Sequence, residues 1–405
     1  YNLLNYGNYN SWCTTSNNNV NDKDVFLKTI VKYVMPDVFC VNELGVNMGG
    51  GDNVFAIRIR DNVLNTDGIT YYQKAAHTGS SSLVNMIYYN SNKLTLHSQE
   101  VIEKNLSGGN LVREVDLYKM YYNDPGLLSN GDTIFITFIV AHLKAGSNAS
   151  DEAQRADATE AVMDNLNQKN IAANYVLSGD FNTKNSSEIS YSNLISHPNT
   201  KITFTDPIGQ PGNWNSNSSF AGIHTQSTRS SNTNGDCFAG GGMDDRFDFI
   251  MTSNYVINST DRVYYIPGSY AALGQDATFY NQEMPTSGNT TVPNSVANAL
   301  YEMSDHLPVV MDLLVRNWPS SISEERDKLR IKITNPFNDW LNISIEGITS
   351  EKLIAKIYDI SGRLMLETNI SNTDRINTKI LKKGFYLLQL SENGRVLKTV
   401  KVGKI

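Results

Sequence analysis

An apolar run, Tyr175-Val176-Leu177, breaks off into Ser178-Gly179-Asp180-Phe181-Asn182, and no other stretch restricts the chain as much. The run reads as a buried strand whose polar end points into a turn. A glycine there lets the backbone approach a neighbour closely or take a positive φ. Asp180 and Asn182 stand two residues apart, so in extended backbone they project to one side. A carboxylate and a carboxamide held together accept protons from water and anchor a phosphate or a metal. Taken alone, the pentapeptide is equally a turn closed by Asp and Asn. The other strand ends decide between the two.

Val38-Phe39-Cys40-Val41-Asn42-Glu43 is an apolar strand ending on a carboxylate, and Thr133 to His142 is one ending on a histidine. Ser304-Asp305-His306 is a further polar end, and Arg246-Phe247-Asp248-Phe249 sets a carboxylate in an apolar strand. Strand termini at one edge of a sheet converge in space, and this set is what metal-assisted phosphate chemistry requires. A hard divalent ion takes oxygen ligands, which Glu43 and a nearby Asn supply. An attacking water needs a base and an orienting partner, for which Asp180, Asn182 and His306 serve. A carboxylate fixes a histidine's tautomer, and Asp248 is the candidate. Charge developing on the phosphate needs donors such as protonated His142 or Arg113.

The order along the chain is strand–helix–strand, several strands, then strand–helix–strand again. Helices are expected at Asp24 to Tyr33, with Val25, Leu27, Ile30, Val31 and Val34 apolar, and at Asp151 to Gln168, with Ala153, Ala156, Ala161 and Leu166 on a packed face. Strands are expected at 1–6, 69–76, 83–90, 94–102, 111–122, 247–252 and 308–315. This argues for an α+β domain of two packed sheets with outer helices. Residues 206–244 form a polar stretch too long for an idle connection. Solvated loop is one reading of it. The other has it flanking the cleft, because it runs into the Asp248 strand, with His224 and Arg229 gripping substrate.

The 405 residues allow a large core and a second, smaller unit. From 317 onward the chain carries 15 basic and 10 acidic side chains, leaving 19 basic and 31 acidic in the remainder, a net −12. A unit that acidic is no natural high-affinity binder of polyanions, although a divalent cation would screen its site. No apolar stretch is long enough to span a bilayer, and no signal peptide is visible. The chain opens as if in mid-strand at Tyr1-Asn2-Leu3-Leu4, with the expectation that upstream residues have been removed or are missing. Its three cysteines are too few for a disulfide framework and lack metal-site spacing. Cys40 reads as a buried small hydrophobe, and a Cys13–Cys237 bridge stays open.

Taken in order, Tyr1-Asn2, Pro36 to Glu43, Ala141-His142-Leu143-Lys144, Ser178 to Asn182, Arg246 to Ile250 and Ser304 to Val309 resemble the endonuclease/exonuclease/phosphatase superfamily that includes pancreatic-type deoxyribonuclease. The resemblance spans residues 1 to about 315. It implies a four-layered α/β/β/α sandwich and Mg²⁺-dependent phosphate-ester hydrolysis, with Mn²⁺ or Ca²⁺ as the alternative ions. By that resemblance Glu43 holds the metal with Asn2 nearby, and Asp305 lies in the metal shell. Asp180 and Asn182 position water and phosphate. His306, paired with Asp248, acts as base or phosphate contact. His142 is the second histidine, a general acid, and Arg113 is the phosphate-region arginine. Asn42 stands where the family usually has Gln. Leu4 stands where the apurinic-endonuclease branch has an acid, and Asn5 is the runner-up to Asn2.

Residues 317–329, with Trp318-Pro319-Ser320-Ser321, read as a linker between a catalytic unit at 1–316 and a small all-β sandwich at 330–405. In that tail Asn335-Pro336-Phe337, Ala355 to Arg363 and Leu381 to Leu387 resemble the C-terminal sorting domain of the Bacteroidetes type IX secretion system. This implies export by that machinery to the cell surface or the medium. The expected protein is a monomeric secreted nuclease acting on DNA or RNA. The same scaffold also serves sphingomyelinases and inositol-phosphate phosphatases, and a non-catalytic adhesin is the reading of a different class.

Overall fold

The computed structural model describes residues 1–79, 81–129, 132–316, 330–346, 353–359, 363–392 and 395–405. The chain packs as two compact units, Tyr1–Trp318 and Pro319–Ile405. The 317–329 segment read as a linker lies outside the described residues.

In the larger unit, β1 (Asn2–Tyr6) lies parallel to β2 (Val38–Gly45). With β3 (Tyr72–Lys74) and β4 (Leu83–Asn90) they form one sheet in the order β1-β2-β4-β3. The second sheet takes β5 (Leu94–Lys104), β6 (Asn110–Tyr122), β7 (Phe135–His142), β8 (Asn174–Asp180), β9 (Phe204–Thr205) and β10 (Asp248–Ser253). Its order is β9-β10-β8-β7-β6-β5. Period-2 alternation sets the layers. Along β7, Ile136, Phe138 and Val140 join the core shared with the first sheet. Ile139 and Ala141 face the opposite way, into a second core.

Each outer face carries helices. On the first sheet, α1 (Val20–Val34) and α2 (Val54–Ile59) bury Leu27, Ile30, Val31, Ala56 and Ile59 in the first core. Asn19 caps α1 by accepting the Asn21 N–H, and Met35 ends it in the left-handed region. Val25, expected on its apolar face, is exposed. On the other side, α3 (Ala149–Lys169) and α4 (Ile189–Ile195) cover the second core. Of the expected packed face of α3, Ala161 and Leu166 are buried, with Arg155, Ala158 and Val162 beside them, while Ala153 is exposed and Ala156 half-buried. The Arg155 guanidinium pairs with Glu188 beneath the helix. A last helix, α5 (Asn294–Met303), packs beside α1. The four layers are those expected.

Three local expectations need correction. The 69–76 strand is only three residues long. The 308–315 run splits into Val309–Val310, paired with Ala271–Ala272, and Leu313–Val315, paired with Val263–Tyr265. The 206–244 segment is not solvated loop. Trp214 lies in the second core against Tyr191 and Phe249, and Arg246 makes a buried two-pronged pair with Asp206.

The smaller unit is a two-sheet β sandwich. β11 (Arg330–Ile333), β12 (Trp340–Glu346) and β15 (Thr373–Asn377) form one sheet. β13 (Leu353–Asp359), β14 (Leu364–Ile370), β16 (Gly384–Glu392) and β17 (Arg395–Lys404) form the other. Alternate residues Leu341, Ile343, Ile345, Ala355, Ile357, Leu388 and Leu390 fill the space between them.

Candidate active site

The register of the second sheet builds a row of chemistry. Asp180, last in β8, stands opposite His142 of β7 on one side and Asp248 of β10 on the other. Gly179 makes the row attainable. Its φ is 142°, and a Cβ there would lie 1.8 Å from the Ala141 carbonyl oxygen. The first sheet contributes Asn2 and Glu43. The Asn2 side-chain NH₂ donates to Glu43 Oε1 at 3.1 Å and to Asp180 Oδ2 at 3.0 Å, tying the two sheets together at this edge.

Several of these residues sit on irregular backbone. Leu4, Asn5, Glu43 and Asn182 have φ between 47° and 58°. The β1–β2 and β2–β4 ladders shift register across Asn2/Tyr6 and Val41/Leu44. Bulges of this kind re-aim side chains at the end of a sheet. Here they turn the Asn5 N–H onto Glu43 Oε2 at 2.8 Å. The Asn5 side chain goes instead to Asn8.

Asp305 and His306 follow α5. Ser304 fixes them, its hydroxyl donating to the Asn2 carbonyl and accepting the His306 N–H. His306 Nδ1 lies 2.8 Å from Asp248 Oδ2, and Nε2 lies 3.9 Å from Asp180 Oδ2. Burial opposes charge on His306, but the Asp248 and Asp180 carboxylates outweigh it and push its pKa up to about 10. The ring is therefore an imidazolium. The Gln226 side-chain nitrogen lies 2.7 Å from His306 Nε2; beside a charged ring the amide must turn to present its oxygen as acceptor.

His142 has the opposite character. Burial, with Arg113 and His306 nearby, holds its pKa well below the usual imidazole range. Its Nε2 lies 3.4 Å from Asp180 Oδ2 and 3.8 Å from Glu43 Oε1, and with the ring neutral these are dipolar contacts. Asp180 is raised, by burial first and by Asp248, with His306 opposing. Arg113 and Asn182 converge on the Leu143 carbonyl, at 2.7 and 3.3 Å. Asp305 accepts the Ala239 N–H at 3.1 Å through Oδ2, while its buried Oδ1 has no hydrogen-bond partner.

Nine of the expected site residues thus gather at one edge: Asn2, Glu43, Arg113, His142, Asp180, Asn182, Asp248, Asp305 and His306. His224 and Arg229 do not join them. His224 is buried with Nε2 on the Trp214 carbonyl, and Arg229 is buried between Tyr301 and Phe238 with Glu302 as its ion pair. Neither side chain has surface for a substrate. Gln226, between them, reaches His306 with its side chain, and Ala239 of the same segment reaches Asp305 with its N–H.

Sequence reasoning missed the support beneath the row. The Asn42 amide accepts the Asp180 N–H at 3.0 Å and donates to Asn85 at 2.7 Å. Asn85 continues to Asp116, which accepts from Thr78. An Asn inside the apolar strand Leu83–Asn90 was the available signal, since a buried amide needs partners. Lys23 was legible in the same way, falling on the Leu27 and Ile30 face of α1. Its ammonium donates to the Leu3 and Leu4 carbonyls at 2.7 and 2.8 Å. Burial pushes its pKa down to about 7, with Asp305 and Glu43 opposing.

Residues 334–402 match the family model of the secretion system C-terminal sorting domain. The smaller unit therefore marks the chain as type IX cargo, destined for the cell surface or the extracellular space. No curated protein matches the chain. Similar solved structures include the human Nocturnin catalytic domain, at 13% identity, covering 73% of this chain and 87% of that one with a TM-score of 0.45. An endonuclease/exonuclease/phosphatase from Beutenbergia cavernae has 16% identity, coverage of 95% and 94%, and a TM-score of 0.41. A mannosyl-6-phosphatase from Bacteroides thetaiotaomicron has 15% identity, coverage of 78% and 97%, and a TM-score of 0.46. Likenesses of this size say nothing about substrate, and the chemistry rests on the chain's own residues.

Proposed function

We propose that the larger unit is a divalent-metal-dependent phosphodiesterase, acting outside the cell as a nuclease on DNA or RNA. The observation that carries this reading is the Asn2 bridge between Glu43 and Asp180, beside the Asp248–His306 pair. It sets carboxylates, an imidazolium and a neutral imidazole around one point at the sheet edge.

The donor set suits a hard cation. Among the described residues no three His, Cys, Asp or Glu side chains form a closed metal cage. Mg²⁺ does not need one, since it binds through one or two carboxylates with water and phosphate oxygens. Buried Asp305 keeps Oδ1 without a partner, and the nearby Glu43 charge adds to the burial that raises its pKa. Glu43 and Asp305 would hold the ion. Asn2, expected beside them, orients Glu43 through its NH₂, and its oxygen, which accepts the Leu4 N–H, keeps a second lone pair for the ion. The ion, Mg²⁺ or alternatively Mn²⁺ or Ca²⁺, would screen phosphate charge and lower the pKa of water.

The remaining steps belong to the chain's own groups. Asp180, its pKa raised, takes a proton from the attacking water while Asn182 orients it. His306, fixed by Asp248, donates to a phosphate oxygen as charge develops there. His142 offers one N–H to the leaving side, and Arg113 adds positive charge beside it. Incubating the full chain with supercoiled plasmid and Mg²⁺ tests the nuclease reading. Nicking abolished by EDTA and by His306→Ala supports it. Intact plasmid, with sphingomyelin or an inositol phosphate hydrolysed instead, reassigns the same site to lipid or small phosphoesters.

A further inference from the structure

Cys13 and Cys237, left open by the sequence, form a disulfide. We infer that this bridge is a positioning device that aligns the two carboxylates of the metal site, so that the hydrolase holds its metal more tightly when the chain is oxidised. The inference rests on the phosphodiesterase reading above.

The bond joins the loop after β1 to the segment before β10, and each end leads within a few residues to a site carboxylate. On one side the bridge packs against Leu4 and Phe238 in a small buried cluster. Leu4 precedes Asn5, whose N–H donates to Glu43, and the Leu4 carbonyl is gripped by Lys23 and Asn18. On the other side Cys237 stands two residues before Ala239, whose N–H donates to Asp305. The Ser227 hydroxyl holds the Ala239 carbonyl at 2.5 Å, and the Thr228 N–H holds the Asp305 carbonyl at 3.0 Å.

The bridge therefore connects the backbone donor of Glu43 with the backbone donor of Asp305. Asn5 sits at the register shift of the β1–β2 ladder, and Ala239 lies outside any strand. The other polar tie here is Asn17, whose NH₂ donates to the Trp12 and Asn234 carbonyls. Partners behind metal ligands set affinity by orientation, and losing one typically weakens it about 10–100-fold.

A chain carrying a sorting domain is made in a reducing compartment and exported to an oxidising one. There the two thiols lose two electrons and two protons to a disulfide oxidant, which leaves as a dithiol while the Cys13–Cys237 bond forms. Before that step the carboxylates keep the Asn2 and Ser304 ties but lack the covalent one, which weakens metal binding beside the cell's own nucleic acid.

The test compares the full chain with Cys13→Ser/Cys237→Ser, with Asn17→Ala, and with Leu166→Ala, a core truncation in α3 remote from the site. Affinity for Mn²⁺ is read by electron paramagnetic resonance without substrate, alongside thermal melting. This readout separates a failed bridge from a failed substrate assignment. The double variant should melt cooperatively and bind Mn²⁺ about tenfold more weakly. Asn17→Ala should lose about two- to threefold. Leu166→Ala should melt earlier with affinity unchanged. Mn²⁺ affinity within about twofold of wild type in the double variant would overturn the inference. Its failure to fold at all would do so too, since the bond would then serve the whole fold rather than the site.

Discussion

His306 and His142 show how burial alone does not set a charge state. Both rings are almost fully enclosed, yet His306 faces two carboxylates and is charged, while His142 faces Arg113 and His306 and is neutral. Asp248→Asn should therefore cost about 100-fold or more in turnover with little change in melting temperature, measured on one phosphodiester substrate. Unchanged turnover would remove His306 from the proposed chemistry. Asp116 offers a test of the support beneath the row. Burial pushes its carboxyl up to about 6, against the Thr78 and Asn85 hydrogen bonds. The folded value lies above the unfolded one of about 3.9, so the native chain binds this proton more tightly. That stabilisation is complete below about pH 3.9 and is lost as pH rises through about 6. Asp116→Asn should flatten the decline of urea stability over this range by on the order of 3 kcal/mol. Equal pH slopes in the two proteins would contradict the assignment. Charged strand ends were legible in the sequence because a carboxylate closing an apolar run needs a reason. Asn42 was noticed only as a departure from the usual Gln, and Asn85 and Gln226 were not singled out, since their work depends on which neighbours the fold brings to them.

At the scale of elements, the row depends on one parallel pairing. β8 and β7 run side by side from Asn174↔Ile136 to Asp180↔His142, and at Gly179 the Ala141 carbonyl leaves no room for a Cβ. Gly179→Ala should separate them and lower stability by roughly 3 kcal/mol or more, with activity lost as well, read by urea unfolding and turnover. A variant with wild-type stability and activity would mean the pairing tolerates a Cβ. Long strands rich in apolar and β-branched or aromatic residues, such as Leu83–Asn90 and Leu94–Lys104, were legible from composition and length. Helices α2, α4 and α5 were not, being short and, for α2 and α4, poor in acidic first turns. The 206–244 segment misled for another reason. Its composition is that of a loop, but Trp214, His224 and the Arg246–Asp206 pair bury it through tertiary contacts that no local pattern announces.

At the scale of the molecule, two units divide the work. The acidic larger unit carries the row, and the basic tail carries the address. Removing residues 334–402 should retain the protein in the cell and abolish its appearance at the surface or in the medium, followed by fractionation and immunoblot. Export undiminished by the deletion would place the address elsewhere. The break in composition near 317 and the Gly-punctuated strands beyond it made the tail legible in the sequence. How a −12 unit meets a polyanionic substrate was not, because that depends on where the carboxylates sit. At least four of them, Glu43, Asp180, Asp248 and Asp305, are gathered at the site.

The most direct measurement is hydrolysis of bis(p-nitrophenyl) phosphate by the oxidised full chain, by Asp180→Asn and by His306→Ala, each with Mg²⁺ and with EDTA, after melting curves establish that all three are folded. The account predicts Mg²⁺-dependent turnover by the wild type and a loss of about 100-fold or more in each variant. Folded variants as active as the wild type, or turnover indifferent to EDTA, would contradict it.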